Sequence, residues 1–210
     1  MLPTPDTAHV GRAPYADSVY DPAEDSFALM DALEADADAL YALQCGLCVE
    51  IGAFVRNIVG ADTAFLCTDI NAAAMHCTKE TGEKNAVVLE PVRTSLVDGL
   101  RLDHSVDLLL FNPPYVVTSD LEAKTEQEDA SLGGALAGGV HGTALLQCII
   151  HTRLVQRVLR PGGRFYFVAI QRNEPDALVG QFAALGLDAG IVLKRRAGRE
   201  FLHIVRVIRP

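Results

Sequence analysis

No apolar run in this 210-residue chain approaches the length of a membrane span, and the start, Met1-Leu2-Pro3-Thr4-Pro5-Asp6, lacks the basic and apolar regions of a signal peptide. A soluble intracellular protein is expected, cytoplasmic with the nucleus as a second location. Basic charge is scarce too. With 27 acidic against 18 basic residues the net charge is -9, so the overall field repels a polyphosphate and argues against a stand-alone nucleic-acid binder. The late cluster Lys194, Arg195, Arg196, Arg199 and Arg206 reads as a solvated face. Metal-ligand spacing is missing as well: Cys45 and Cys48 form one C-x-x-C pair, Cys67, Cys77 and Cys148 supply no second, and the histidines are dispersed. Cys48 and Cys67 fall inside apolar runs and are expected to be buried free thiols. With no internal repeat and no second domain visible, residues 1–210 read as one domain, led by an irregular arm over residues 1–19.

What the chain does have is a succession of short apolar runs between helical patterns. Leu47–Gly52, Ala64–Asp69, Val87–Val92, Val106–Phe111, Arg164–Ile170, Ala189–Lys194 and Phe201–Ile208 read as strands, with Pro91 suited to a sheet edge. Helical spacing runs from Pro22 to Leu43, beyond Asn71 through Lys79, from Thr143 to Val158 and from Pro175 to Ala184, and Arg160-Pro161-Gly162-Gly163 is a turn signal. Strands alternating with helices imply parallel βαβ units, whereas the short link Arg195–Arg199 implies an antiparallel pair at the end. The expected fold is α/β: a doubly wound, seven-stranded, mostly parallel sheet with an antiparallel C-terminal hairpin. Thr118–Gly142 escapes this rhythm. It is polar, acidic and glycine-rich, and it is placed to form a mobile substrate rim.

Asn112-Pro113-Pro114-Tyr115 directly follows the run Val106–Phe111 and reads as a strand that stops in a rigid, polar-tipped turn, because two prolines fix φ and hold the preceding residue extended. Open α/β sheets place their ligands at such strand ends. The side-chain oxygen of Asn112 and the carbonyl of Pro113 can each accept one N–H bond from a planar NH2 group, and Tyr115 offers a flat face. An amide or base amine is a poor nucleophile because its lone pair is delocalised. Accepting both of its hydrogens returns density to nitrogen and aims the lone pair at an electrophile such as a sulfonium methyl group.

With Val19-Tyr20-Asp21-Pro22-Ala23-Glu24-Asp25-Ser26, Val49-Glu50-Ile51-Gly52, Cys67-Thr68-Asp69-Ile70-Asn71, Phe111–Thr118 and Ala137–Gly142, the chain resembles the HemK-like class I methyltransferases over nearly its whole length. It is most similar to their short eukaryotic and archaeal form, which lacks the bacterial N-terminal helical domain and methylates the glutamine of a release-factor Gly-Gly-Gln loop. The resemblance implies a Rossmann-like fold, S-adenosylmethionine as cofactor, a class I translation release factor as substrate and a small zinc-binding activator subunit. It further implies cofactor contacts from Ser26, Glu50, Gly52, Asp69, Ser95, Leu96 and Asn112, with Asn112, Pro113 and Tyr115 as the catalytic set. Asp69 would hold the ribose hydroxyls as the acid of dinucleotide folds does, the alternative being a helix N-cap.

Two departures stand out. The family's acid near the end of the third strand, which receives the adenine amine, is replaced by Ser95, an acceptor without charge. After Gly52, where more glycines are expected, the chain runs Ala53-Phe54-Val55-Arg56-Asn57, and only eleven residues separate Gly52 from Ala64. This implies either an unusually short cofactor loop or an interval from which residues are missing. Two other readings stay open: methylation of an adenine or guanine amine in nucleic acid, and a catalytically silent binding subunit. The implied partner is expected at the third strand, Val87–Val92, as an unpaired edge.

Overall fold

A computed structural model describes residues 4–51, 62–117, 138–139 and 141–210. Gly52, the interval on which the short-loop question turns, and all but the last few residues of the expected rim lie outside these. The elements are α1 (Glu24–Ala35), α2 (Ala37–Ala42), β1 (Leu47–Ile51), β2 (Ala64–Asp69), α3 (Ala72–Lys84), β3 (Leu89–Arg93), β4 (Val106–Phe111), α4 (Ala144–His151), α5 (Leu154–Val158), β5 (Leu159–Ile170), α6 (Pro175–Ala184), β6 (Asp188–Ala197) and β7 (Glu200–Ile208). A short 3-10 turn, Gln171–Asn173, follows β5. The sheet has seven strands in the order β3-β2-β1-β4-β5-β7-β6, parallel from β3 to β5, with β7 antiparallel to both of its neighbours. That is the expected architecture. The order reverses between β1 and β4, which makes their carboxyl ends the topological switch point.

Strand alternation sorts the core into two layers. Leu109, Phe111, Phe165 and Phe167 face α4, α5 and Phe182 of α6, whereas Leu108, Leu110, Tyr166 and Val168 face Leu29, Leu33 and Leu40 of α1 and α2. All six residues of β4 are buried, as befits a central strand covered on both faces. Each such large apolar side chain contributes about 1.5–3 kcal/mol on burial. At the amino end of the sheet, Asp107 of β4 accepts the backbone N–H groups of Gly46 and Leu47 at 2.9 and 2.8 Å and pairs with Arg160. This buried carboxylate pins the start of β1. Between α1 and α2, Asp36 accepts Tyr166 at 2.6 Å and Arg206 at 2.7 Å.

Several local expectations need correcting. The third strand begins at Leu89, because Val87 still donates to the Gly82 carbonyl at 2.9 Å and completes the end of α3; Val88 is left three-quarters exposed. It is an edge strand, as Pro91 suggested. The helix expected over Thr143–Val158 is two, since Arg153 adopts a left-handed φ of 53°. The Arg160–Gly163 turn lies inside β5 as a bulge, with Leu159 opposite Val106 and Arg164 opposite Leu108. The hairpin link is shorter than expected, only residues 198–199. The N-terminal arm, described from Thr4, has no helix or strand but docks along α3: Asp6 N–H donates to Asn85, and Tyr15 donates to Glu80. In the late basic cluster Arg195 pairs with Asp31, Arg206 with Asp36, and Arg196 lies over the Phe201 ring.

Candidate active site

Register brings the candidate residues to one level. Ile51 is opposite both Thr68 and Phe111, so Asp69 and Asn112 are each one step beyond that row, and Glu50 is one step before it. Glu50 is buried in β1, beside Cys67 and Leu110 in the neighbouring strands. Burial raises the Cys67 and Cys48 thiols well above their usual range, and the charge of Glu50 adds to this for both. Both thiols are buried and free, as expected.

Asp69 ends β2 with a half-buried carboxyl whose Oδ1 accepts the N–H of Asn71 at 2.8 Å. Burial pushes its pKa up, against the lowering effect of the Asn71 and Ile70 N–H groups. It is not the helix cap. Asn71 fills that role, its Oδ1 accepting from Ala73 N–H at 2.8 Å while its Nδ2 donates to the Ser18 carbonyl at 2.6 Å. Ser95 is exposed in the turn after β3, and Leu96 is half-buried with a left-handed φ of 48°.

The turn after β4 is gripped from two sides. On one side stands Asp25, only 2% exposed in the first turn of α1. Its Oδ2 accepts Asn112 Nδ2 and the Tyr115 hydroxyl, each at 2.9 Å; the Tyr20 hydroxyl is 3.1 Å from both oxygens, and Oδ1 accepts Ser26 N–H at 2.8 Å. The Ser26 hydroxyl is buried and approaches the same Oδ1 at 3.4 Å. Burial, then the charge of Asp25, raises both Tyr20 and Tyr115 far above the usual phenol range, so both remain donors. The Oδ1 of Asn112 is buried and has no partner among the described residues.

On the other side stands Asn173. Its Nδ2 donates to the carbonyls of Tyr115, His141 and Gly142 at 3.1, 2.9 and 3.3 Å, and its Oδ1 accepts Ile170 N–H at 2.8 Å. Gly138 N–H donates to the Val116 carbonyl at 2.8 Å. Gly142 has a φ of +64°, and a Cβ there would lie 2.1 Å from the Tyr115 oxygen, so only glycine fits. The described end of the expected rim therefore packs against the Asn112–Tyr115 turn. The sequence pointed to Asn112, Pro113 and Tyr115 but not to Asp25 as their partner, nor to Asn173; both act across long sequence separations, and neither carries a local signal beyond its presence near a quoted motif or strand end.

The model of the methyltransferase small domain family matches residues 15–129. "Methyltransferase HEMK2" of Homo sapiens is 41% identical over 97% of this chain and 95% of its own length. The "eRF1 methyltransferase catalytic subunit mtq2" of Schizosaccharomyces pombe is 34% identical over 100% of this chain and 96% of its own. Among solved structures, the E. cuniculi Mtq2-Trm112 complex, responsible for methylation of the eRF1 termination factor, has a chain that superposes with a TM-score of 0.65 at 20% identity, covering 91% of this chain and 99% of that one.

Proposed function

The chain belongs to the methyltransferase small domain family, and we propose that it transfers a methyl group from S-adenosylmethionine to the side-chain nitrogen of a glutamine in the Gly-Gly-Gln loop of a class I translation release factor. The observation that carries this reading is the Oδ1 of Asn112 at the switch point, buried and without a partner among the described residues, an acceptor awaiting an N–H donor. A primary carboxamide supplies that donor, and the Pro113 carbonyl is the second acceptor. Two full-length relatives are named as methyltransferases, one of them for eRF1.

The described residues fit the cofactor. The half-buried Asp69 carboxyl ends β2 with one oxygen held by a backbone N–H, which suits a pair of vicinal hydroxyls. Glu50, Ser26, Ser95 and Leu96 complete the candidate contacts, with Ser95 offering the adenine amine only an uncharged acceptor; Gly52 lies outside the described residues. The cofactor supplies an electrophilic methyl group on its sulfonium. Asn112 and the Pro113 carbonyl hold the carboxamide hydrogens so that the nitrogen lone pair is aimed, and Tyr115 is anchored beside them through its hydroxyl.

A small zinc-binding activator subunit is proposed as partner. Its support is the edge strand β3, which pairs on one side only among the described residues, with Val88 exposed just before it, and the solved complex of a similarly folded protein. The test sets a release factor and an oligonucleotide side by side as acceptors, with and without co-expressed partner. Methyl incorporation into the glutamine is expected; incorporation into the oligonucleotide alone would move the assignment to base amines.

A further inference from the structure

Asn112 can present either end of its amide to a substrate, and the two ends have opposite chemistry. One end accepts N–H bonds and the other donates them. The choice is made by Asp25, because a carboxylate only accepts: at 2.9 Å from its Oδ2, the nearer amide atom has to be Nδ2. Two phenols and the Ser26 N–H fill the rest of the carboxylate's acceptor capacity.

We infer that Asp25 is a positioning residue that sets the polarity of the Asn112 amide, turning Oδ1 toward the substrate and so selecting an NH2-bearing group. This rests on the reading of Asn112 as the acceptor of a carboxamide. Were Asp25 an amide, its own two ends would be interchangeable, and the Asn112 side chain could turn over with little penalty. A substrate NH2 would then meet an NH2.

The test is a swap. Methyl transfer to a release factor is measured for the wild type, Asp25→Asn, Asn112→Asp and the double variant of the full chain. Asp25→Asn is expected to lower kcat tenfold or more while leaving KM for S-adenosylmethionine within about threefold. Asn112→Asp alone sets two carboxylates against each other and loses more. In the double variant the amide at position 25 donates to the carboxylate at position 112, whose outer oxygen is again an acceptor, so activity recovers at least tenfold over Asn112→Asp. A purely structural Asp25 gives additive losses and no recovery, which would overturn the inference. An activity-free readout separates the two claims: NMR exchange of the Asn112 side-chain amide protons. Slow exchange in the wild type supports the Asp25 contact even if no release factor is methylated, an outcome that defeats the functional reading alone. Fast exchange in the wild type, or unchanged kcat in Asp25→Asn, overturns the role of Asp25.

Discussion

The two flanks of the sheet differ in build. On one side β5, β7 and β6 run 12, 9 and 10 residues, and Phe165, Phe167 and Phe182 pack ring to ring beneath them at centroid distances of 5.2 to 6.0 Å. On the other, β1, β2 and β3 run 5, 6 and 5 residues, and β3 has no buried residue at all. The long flank is a stable wall. The short flank carries acids at or near its strand ends. The phenylalanine cluster lies under the long flank, and the candidate groups Glu50, Asp69 and Asn112 lie at or near the carboxyl ends of β1, β2 and β4. Separation of this kind lets a buried acceptor without a partner among the described residues persist without endangering the fold, since its desolvation penalty of about 1–3 kcal/mol is small against the core.

Substitutions on either side of the divide should therefore show up in different measurements. Phe182→Ala has the largest expected effect, a loss of about 3–5 kcal/mol in chemical denaturation, with cofactor affinity of the folded fraction unchanged. Asn112→Ala should cost methyl transfer about a hundredfold or more while S-adenosylmethionine affinity stays within a few-fold and the melting point close to wild type. A large drop in its melting point would show that the turn belongs to the structural wall after all. Asp69→Ala should weaken cofactor binding by about 1.5–3 kcal/mol through lost charge-assisted hydrogen bonds, read by calorimetric titration.

The smallest effect belongs to Asp36. Burial alone would raise its pKa, but the bonds from Tyr166 and Arg206 outweigh this and hold it below the usual carboxylate value. A depressed folded-state pKa adds stability above the unfolded-state value and loses it as pH falls through the folded one. Asp36→Asn should thus destabilise at neutral pH by up to about 1 kcal/mol, as partly exposed pairs do, and the two proteins should converge in strong acid.

The strands were legible because β-rich apolar runs bounded by turn residues have few other solutions, and six of the seven were placed within one residue at their carboxyl ends, where the site lies. β6 extends further, to Ala197, because Lys194, Arg195 and Arg196 stay paired with β7 as charged residues on a sheet edge. Arg153 gave no warning of its left-handed φ, since neither it nor Thr152 is a turn former of note. At the site, Asn112–Tyr115 was legible from two prolines after a strand. Asp25 was not, because its contacts to Asn112 and Tyr115 span 87 and 90 residues and depend on how α1 packs over the sheet. Asn71 took the capping role considered for Asp69, which frees the acid for the ribose reading.

Asp107 sits at the other end of the sheet, clipped to the first N–H groups of β1. A parallel strand can be threaded past its neighbour one residue early or late, and each such slip exchanges its two faces. For β1 the exchange would drive Glu50 into the layer now filled by Val49 and Ile51. The clip makes those threadings unequal, because only one of them gives the buried carboxylate its two backbone donors. Alignment of Glu50, Asp69 and Asn112 is thus decided far from them, and Asp107→Ala would disturb cofactor binding through misthreaded chains rather than through any lost contact.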